Sequence, residues 1–253
     1  MRIVSLAPGI TETLFAIGCG DSIVGRTSYC DLPDAAKSIP VVGGFSDCGR
    51  EAVAERKPDL VIGMSLHGRL FAQLHREGIR TATVEALPPR CAEEMVRSLG
   101  RITGCEAAAQ TCAERLGSSI RAIQDAAPKQ QPIKVCYLCD IHCPNWSACT
   151  IADAVTGLNC YNIGRGRSTA APDEIVRDIV ESKPQLLLVP DEHADDAEPV
   201  METHPVMKEF MNSHHPEIRC FSSKRLARTG SGSAEALRAL FTTIYSKEIS
   251  EPC

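Results

Sequence analysis

Apolar residues in this chain follow two rhythms that alternate. "RIVSLAP" is an unbroken apolar run of strand length closed by a Pro-Gly turn. "TETLFAIGCG" then spaces its apolar residues as a helix does, with Thr11 placed to cap it and Gly18 to stop it. "SIVGRTSYC" predicts a second strand that runs into a long loop, "CDLPDAAKSIPVVGGFSDCG". "EAVAERKPDLVIG" is a helix, a Lys-Pro break and a buried strand, and "LFAQLHREGIRTATVE" repeats helix, Gly stop and strand. Strands and helices alternating over such short stops predict a parallel sheet flanked by helices.

From Cys91 to Ala127 the rhythm changes to an almost wholly helix-forming stretch, which Gly100 and Gly104 are expected to divide and "PKQQP" to end. "IKVCYLC" opens a second round. "SACTIADAVTGLN" reads as a helix, "DEIVRDIVESKPQLLLVP" as helix, break and buried strand, and "SAEALRALFTTIYSKEI" as the last helix. "VESKPQLLLVP" echoes "AERKPDLVIG", an internal repeat with one copy in each half. The expected organisation is an N-terminal α/β lobe over residues 1–90, a linker helix region over 91–130 and a C-terminal α/β lobe over 131–253. The class is α/β: two Rossmann-like α/β lobes joined by a long linker helix. A ligand cleft is expected between the lobes, facing the carboxyl ends of the strands.

A length of 253 residues with 43% hydrophobic composition is enough to build two such lobes. The net charge is −5 and no basic block occurs, which argues against a nucleic-acid partner. No apolar run is long enough to predict a membrane-spanning helix. Met1 stands directly at a strand start, without a basic n-region, an apolar h-region or a small-residue cleavage site. That predicts a cytoplasmic protein, or an extracytoplasmic one if a leader has been removed. There is no G-x-S-x-G elbow, P-loop or H-E-x-x-H, so a binding or electron-transfer role is expected before a classical enzyme.

Thirteen cysteines do change the picture. The number is odd and the chain is neither small nor loop-rich, which argues against a disulfide scaffold and for thiols in a reducing compartment. Cys19, Cys105, Cys112, Cys160 and Cys220 are expected to be buried as small hydrophobes, Cys91 to start a helix and Cys253 to lie in a frayed tail. "KVCYLCDIHCPNWSACT" gathers Cys136, Cys139, Cys143 and Cys149 with His142 and the only tryptophan, Trp146. Residues three apart on a strand face opposite sides, so Cys136 and Cys139 make a poor zinc knuckle. Cys136 is expected in the core and Cys139 at the strand's cleft end.

"RIVSLAPGITETLFAIGCGDSIVGRTSYCDLPDAAKSIPVVGGFSD" followed by "RKPDLVIG" resembles the vitamin B12-binding periplasmic proteins. These are helix-linked, class III solute-binding proteins of ABC importers, a class that also serves siderophores and haem. The match is dense over residues 1 to 85 and looser beyond. The resemblance implies that Tyr29, Phe45, Met64 and His67 line the ligand site from the first lobe, and that "DIHCPNWSAC", with Trp146, does so from the second. "GRGRSTAAPDE" sits where second-lobe ligand loops occur, so Arg165 or Arg167 is placed to pair with an anionic ligand. His204 is placed to reach the rim, while His214 and His215 read as a solvated loop. The family docks on its importer through a glutamate at the tip of each lobe. Gly68 and Arg177 align at those positions, which puts importer docking in doubt.

Cysteines stand in those same ligand loops: Cys30, Cys48, Cys139, Cys143 and Cys149. Thiolates converging from two lobes suit soft or borderline metals. The leading expectation is a cysteine-ligated iron–sulfur cluster of the 4Fe–4S type, held by Cys30, Cys48, Cys139 and Cys143, with His142 as a further ligand or hydrogen-bond donor. Such a protein would be open to redox function, with a redox partner or a homodimer. The alternative is a cobalamin, corrinoid or similar metal chelate, with His67 or His142 as an axial contact. Zinc or copper sequestration stays open as a third reading.

Overall fold

The computed structural model describes residues 1–85, 91–137, 150–163, 172–190, 205–222 and 228–249. The chain divides into two compact units. Unit 1 comprises Met1–Ser118 and Ala227–Ala234, and unit 2 comprises Ser119–Leu226 and Glu235–Cys253.

Unit 1 holds four strands, β1 (Ile3–Ser5), β2 (Ile23–Arg26), β3 (Leu60–Gly63) and β4 (Arg80–Thr83), all parallel in the order β2-β1-β3-β4. Helix α1 (Pro8–Ala16) connects β1 to β2, α2 (Arg50–Ala54) precedes β3, and α3 (Gly68–Arg76) connects β3 to β4. α4 (Ala92–Thr103) and α5 (Glu106–Ala126) follow, and α5 begins in unit 1 and ends in unit 2. Unit 2 repeats the plan with β5 (Ile133–Tyr137), β6 (Cys160–Ile163), β7 (Leu186–Pro190) and β8 (Glu217–Phe221) in the order β6-β5-β7-β8, again parallel. Its helices are α6 (Thr150–Gly157), α7 (Pro172–Ser182), α8 (Pro205–His214) and α9 (Ser233–Tyr245).

The Lys-Pro repeat accounts for part of this symmetry. A residue before proline is pushed out of the right-handed helical region. Lys57 and Lys183 both take positive φ instead, 47° and 49°, so each helix stops and the chain turns into a strand. The following strand is then tied to the start of its neighbour in the same way. Asp59 N–H donates to the Arg2 carbonyl at 2.8 Å, and Gln185 N–H to the Lys134 carbonyl at 2.9 Å. The side chains return the favour: Arg2 N–H donates to Asp59 Oδ2 at 2.7 Å, and Lys134 N–H to Gln185 Oε1 at 3.1 Å.

Each sheet is buried by its helices, as parallel strands require. Val4, Leu6, Val42, Val53, Val61, Leu70, Phe71 and Leu74 form one core of unit 1. Cys136, Ile163, Val176, Ile179, Leu187, Val189, Met207 and Phe210 form the core of unit 2, so Cys136 is a core thiol. Burial pushes that thiol's pKa up to about 12.

Several local expectations need correction. Thr11 does not cap α1: the helix begins at Pro8, whose fixed φ suits a first helical position, and Thr11 lies inside with its hydroxyl donating to the Ala7 carbonyl at 3.2 Å. Gly100 does not break its helix. It stays within α4 and lets α5 pack close, since a Cβ there would fall 2.3 Å from that of Ala109. Gly104 is the break. Cys220 is exposed rather than buried, because β8 is an edge strand, and Cys105 and Cys112 are only half-buried. No helix among the described residues is long and apolar enough to cross a membrane.

Candidate functional site

The carboxyl ends of parallel strands collect the loops that bind ligands in open α/β sheets. In unit 1 four segments meet there: residues 27–31 after β2, 43–48 ahead of α2, 64–67 after β3, and 84–85 after β4. Main-chain hydrogen bonds lace them together. Ser28 N–H donates to the Gly43 carbonyl at 2.9 Å, and Val84 N–H to the Gly63 carbonyl at 2.8 Å. Ser65 N–H donates to Glu85 Oε1 at 2.9 Å. Below them, Arg26 is 8% exposed and gives its guanidinium to the carbonyls of Thr27, Lys37 and Ile39, which satisfies a buried charge and fixes the chain on either side of Tyr29.

His67 sits at the centre of this lacing. It is 3% exposed. Met64 N–H points at its Nδ1 at 2.9 Å, so that nitrogen accepts, and Nε2 therefore carries the proton and donates to the Phe45 carbonyl at 2.8 Å. Both ring nitrogens are spent on the backbone. The imidazole is a strut between the 43–48 and 64–67 segments, and the expected axial contact from His67 is corrected: neither nitrogen is free for a metal.

A row of rings follows from that strut. Tyr29 meets Phe45 edge-on at 6.4 Å, Phe45 meets His67 edge-on at 5.9 Å, and His67 lies 6.1 Å from Phe71. The row runs from core to surface. Phe71 is buried, Phe45 half-buried, and Tyr29 58% exposed. Met64 is half-buried and Leu66, at 46% exposure, adds a second apolar side chain to the surface. Leu66 was not singled out from the sequence, although it neighbours His67. Beside Tyr29, Arg228 pairs with Glu12 at 3.0 Å and Asp31 at 2.6 Å, a bridge that no local pattern could announce because Glu12 lies 216 positions away.

The two unit-1 thiols expected to hold a cluster are turned inward. Cys30 is fully buried, with its sulfur 3.1 Å from the Thr27 hydroxyl. Cys48 donates to the Gly44 carbonyl at 2.9 Å, and burial, with the charge of Asp47, pushes its pKa up to about 11. A protonated, hydrogen-bonded thiol is a poor metal ligand. Among the described residues, no group of three or more His, Cys, Asp or Glu is placed to hold a metal ion. The expected iron–sulfur centre thus has no support from the unit-1 residues assigned to it. Cys139, His142, Cys143, Trp146, Cys149, Arg165, Arg167 and His204 lie outside the described residues. Gly68 and Arg177, aligned with the family's importer-docking acids, are both exposed.

Comparison with known proteins gives these loops a context. A family model described as periplasmic binding protein matches residues 3–140, more than half of the chain. An ABC transporter substrate-binding lipoprotein of Bacillus subtilis, YvrC, is 32% identical over 131 residues, which is 50% of this chain and 41% of that protein. A vitamin B12-binding protein of Vibrio vulnificus is 38% identical over 61 residues, 24% of this chain and 22% of that protein. The matched segments thus span less than half the length of these curated relatives. The periplasmic haem-binding protein RhuT of Roseiflexus, solved in apo form, superposes with a TM-score of 0.80 at 21% identity, covering 97% of this chain and 98% of that one. This likeness carries the fold: two parallel-sheet α/β lobes of the class III solute-binding type. The same findings overturn the cytoplasmic expectation, because the family, the lipoprotein relative and the structural neighbour all carry periplasmic or substrate-binding lipoprotein descriptions. On the match from residue 3 to residue 140, the chain belongs to the periplasmic binding protein family.

Proposed function

We propose that this protein captures a cobalt corrinoid outside the cytoplasm. The observation that carries the proposal is the laced aromatic edge of unit 1, where Tyr29 and Leu66 stand 58% and 46% exposed on loops held rigid from below. Exposed apolar side chains at the carboxyl edge of a parallel sheet stand where open α/β sheets bind their ligands. A flat macrocycle with a large apolar face suits that edge. Rigid loops also reduce the ordering cost of binding. Family membership and the vitamin B12-binding relative support the choice of ligand class.

A corrinoid brings its own axial ligands, so it can be held by contact alone. Haem iron calls for a ligand from the protein. His67, spent as a strut, does not supply one, and a corrinoid does not need it to. The test is titration with cyanocobalamin and, separately, with haemin, followed by calorimetry and absorbance. Saturable one-to-one binding of cyanocobalamin with micromolar or tighter Kd, and weaker binding of haemin, is the expected result. Tight haemin binding with a shifted Soret band and no affinity for cyanocobalamin would overturn the corrinoid assignment.

A further inference from the structure

Two cysteines that ligand capture leaves unused lie against each other. Cys19 and Cys105 are separated by 86 positions, yet their Sγ atoms are 2.8 Å apart. That is closer than two unbonded sulfur atoms settle. Both belong to unit 1. The same local device delivers each thiol. α1 gives way to Gly18 at φ 81° and α4 to Gly104 at φ 77°, both left-handed. A chain leaving a left-handed helix cap folds back on the last turn, and in both places the next residue is cysteine. Because α1 packs on α4, the two "Gly-Cys" corners face each other.

A shared metal ion fits this contact poorly. Two thiolates each about 2.3 Å from one tetrahedral zinc stand nearly 4 Å apart. Among the described residues there is also no third acidic, cysteine or histidine side chain placed to complete such a site. We infer that Cys19 and Cys105 form a disulfide that staples the end of α1 to the corner between α4 and α5, closing a loop that contains β2, β3 and β4. An oxidising compartment outside the cytoplasm is where such a bond forms and persists.

The half-buried Cys105 is the accessible partner, and Cys19 is 6% exposed. The Cys105 thiolate attacks a low-molecular-weight disulfide such as oxidised glutathione, forms a mixed disulfide and releases one thiolate. The Cys19 thiolate then attacks the Cys105 sulfur and expels the second. One S–S bond forms in the protein as the donor's S–S bond breaks. Two electrons pass to the donor, and the two cysteine protons end on the two released thiols. Burial raises the pKa of Cys19, so the attack draws on the ionised fraction of that thiol.

The experiment uses the full chain. Protein reduced and desalted without oxygen is incubated with oxidised glutathione, quenched in acid, alkylated with N-ethylmaleimide and digested without reductant. Mass spectrometry is expected to find one peptide pair joining Cys19 to Cys105, two hydrogens lighter than the free thiols and separated by dithiothreitol. Closing a loop of this length is expected to raise Tm by several degrees, up to about 10 °C. The Cys105→Ser variant, at a half-buried position, should fold yet show neither the cross-link nor the rise, and Cys112→Ser should keep both. Recovery of both cysteines as maleimide adducts, a glutathione adduct that persists on Cys105, or pairing of either residue with another cysteine would overturn the inference.

Discussion

Replacing His67 by alanine separates a strut from a metal ligand. The ring is 3% exposed, and removing it leaves the Met64 N–H and the Phe45 carbonyl without partners. A buried unpaired group costs about 1–3 kcal/mol, but both of these bonds are part-buried and water can reach them, so about 1 kcal/mol each is the better figure. Loss of the ring contacts with Phe45 and Phe71 adds roughly 0.5–1 kcal/mol, and the cavity about 1 kcal/mol more. The sum, about 3.5–4 kcal/mol, is a large share of a typical domain's 5–15 kcal/mol. It corresponds to a fall in Tm on the order of 10 °C. Differential scanning calorimetry of the apo protein reads that loss. Cyanocobalamin affinity should also fall, because Phe45 is no longer held, while the cobalt absorption bands of the bound ligand stay where they are in the unaltered protein. An unchanged Tm together with displaced absorption bands would refute the strut and make His67 a ligand after all.

Other outcomes can be measured on the same preparations. A tyrosine buries about 150–250 Å2 when fully covered, so at 58% exposure Tyr29 offers a ligand on the order of 100 Å2, or about 2.5 kcal/mol. Tyr29→Ala should therefore weaken cyanocobalamin binding roughly ten- to seventyfold by calorimetry with little change in apo Tm, and an unaltered Kd would remove Tyr29 from the site. A Cβ at Gly9 would lie 2.0 Å from the Thr229 carbonyl oxygen, so Gly9→Ala must lift the segment that Ser231 N–H fastens to Thr13 Oγ1 at 3.0 Å. A destabilisation of about 2–3 kcal/mol in urea is expected. Cys136 has a folded pKa near 12, above its unfolded value near 8.5, so its contribution to stability is fully present below pH 8.5 and declines as pH rises toward 12. Urea midpoints should fall above pH 9, and Cys136→Ala should flatten that fall. Iodoacetamide at pH 8 on the native protein should label exposed Cys220 well before Cys48 or Cys136.

The order of strands and helices was legible because each Lys-Pro and Gly stop acts on its neighbours alone. The repeated Lys57 and Lys183 turns are local steric facts, and they carry the repeat into both sheets. The loops that bear Tyr29 and Phe45 were legible through resemblance, since their sequence is dense in family motifs. What could not be read is whatever depends on a partner far along the chain. His67 looks like any histidine until the Phe45 carbonyl, 22 positions upstream, arrives at its Nε2. Gly100 looks like a helix breaker until Ala109 of the next helix occupies the space its side chain would need. Thr11 looks like a cap because threonine caps helices, but Pro8 fits the first turn at no steric expense and starts the helix earlier.

The cysteines show why composition misleads about chemistry. Thirteen thiols invite a metal, yet a thiol binds one only as an accessible thiolate with further ligands beside it. In this fold the two described candidates, Cys30 and Cys48, and two further thiols each rest on a neighbour. Cys30 rests on the Thr27 hydroxyl, Cys48 on the Gly44 carbonyl, Cys160 within 3.5 Å of the Tyr245 hydroxyl, and Cys19 on Cys105. Three of these partners are ordinary polar groups, and burial is what raises the pKa of Cys48 and Cys160. The fourth is another sulfur, the contact from which the disulfide is inferred. The same logic holds for the aromatic edge of unit 1: an imidazole whose nitrogens are both occupied holds Phe45 in place, and under the proposed corrinoid reading the rings, among the described residues, are what meets the solute.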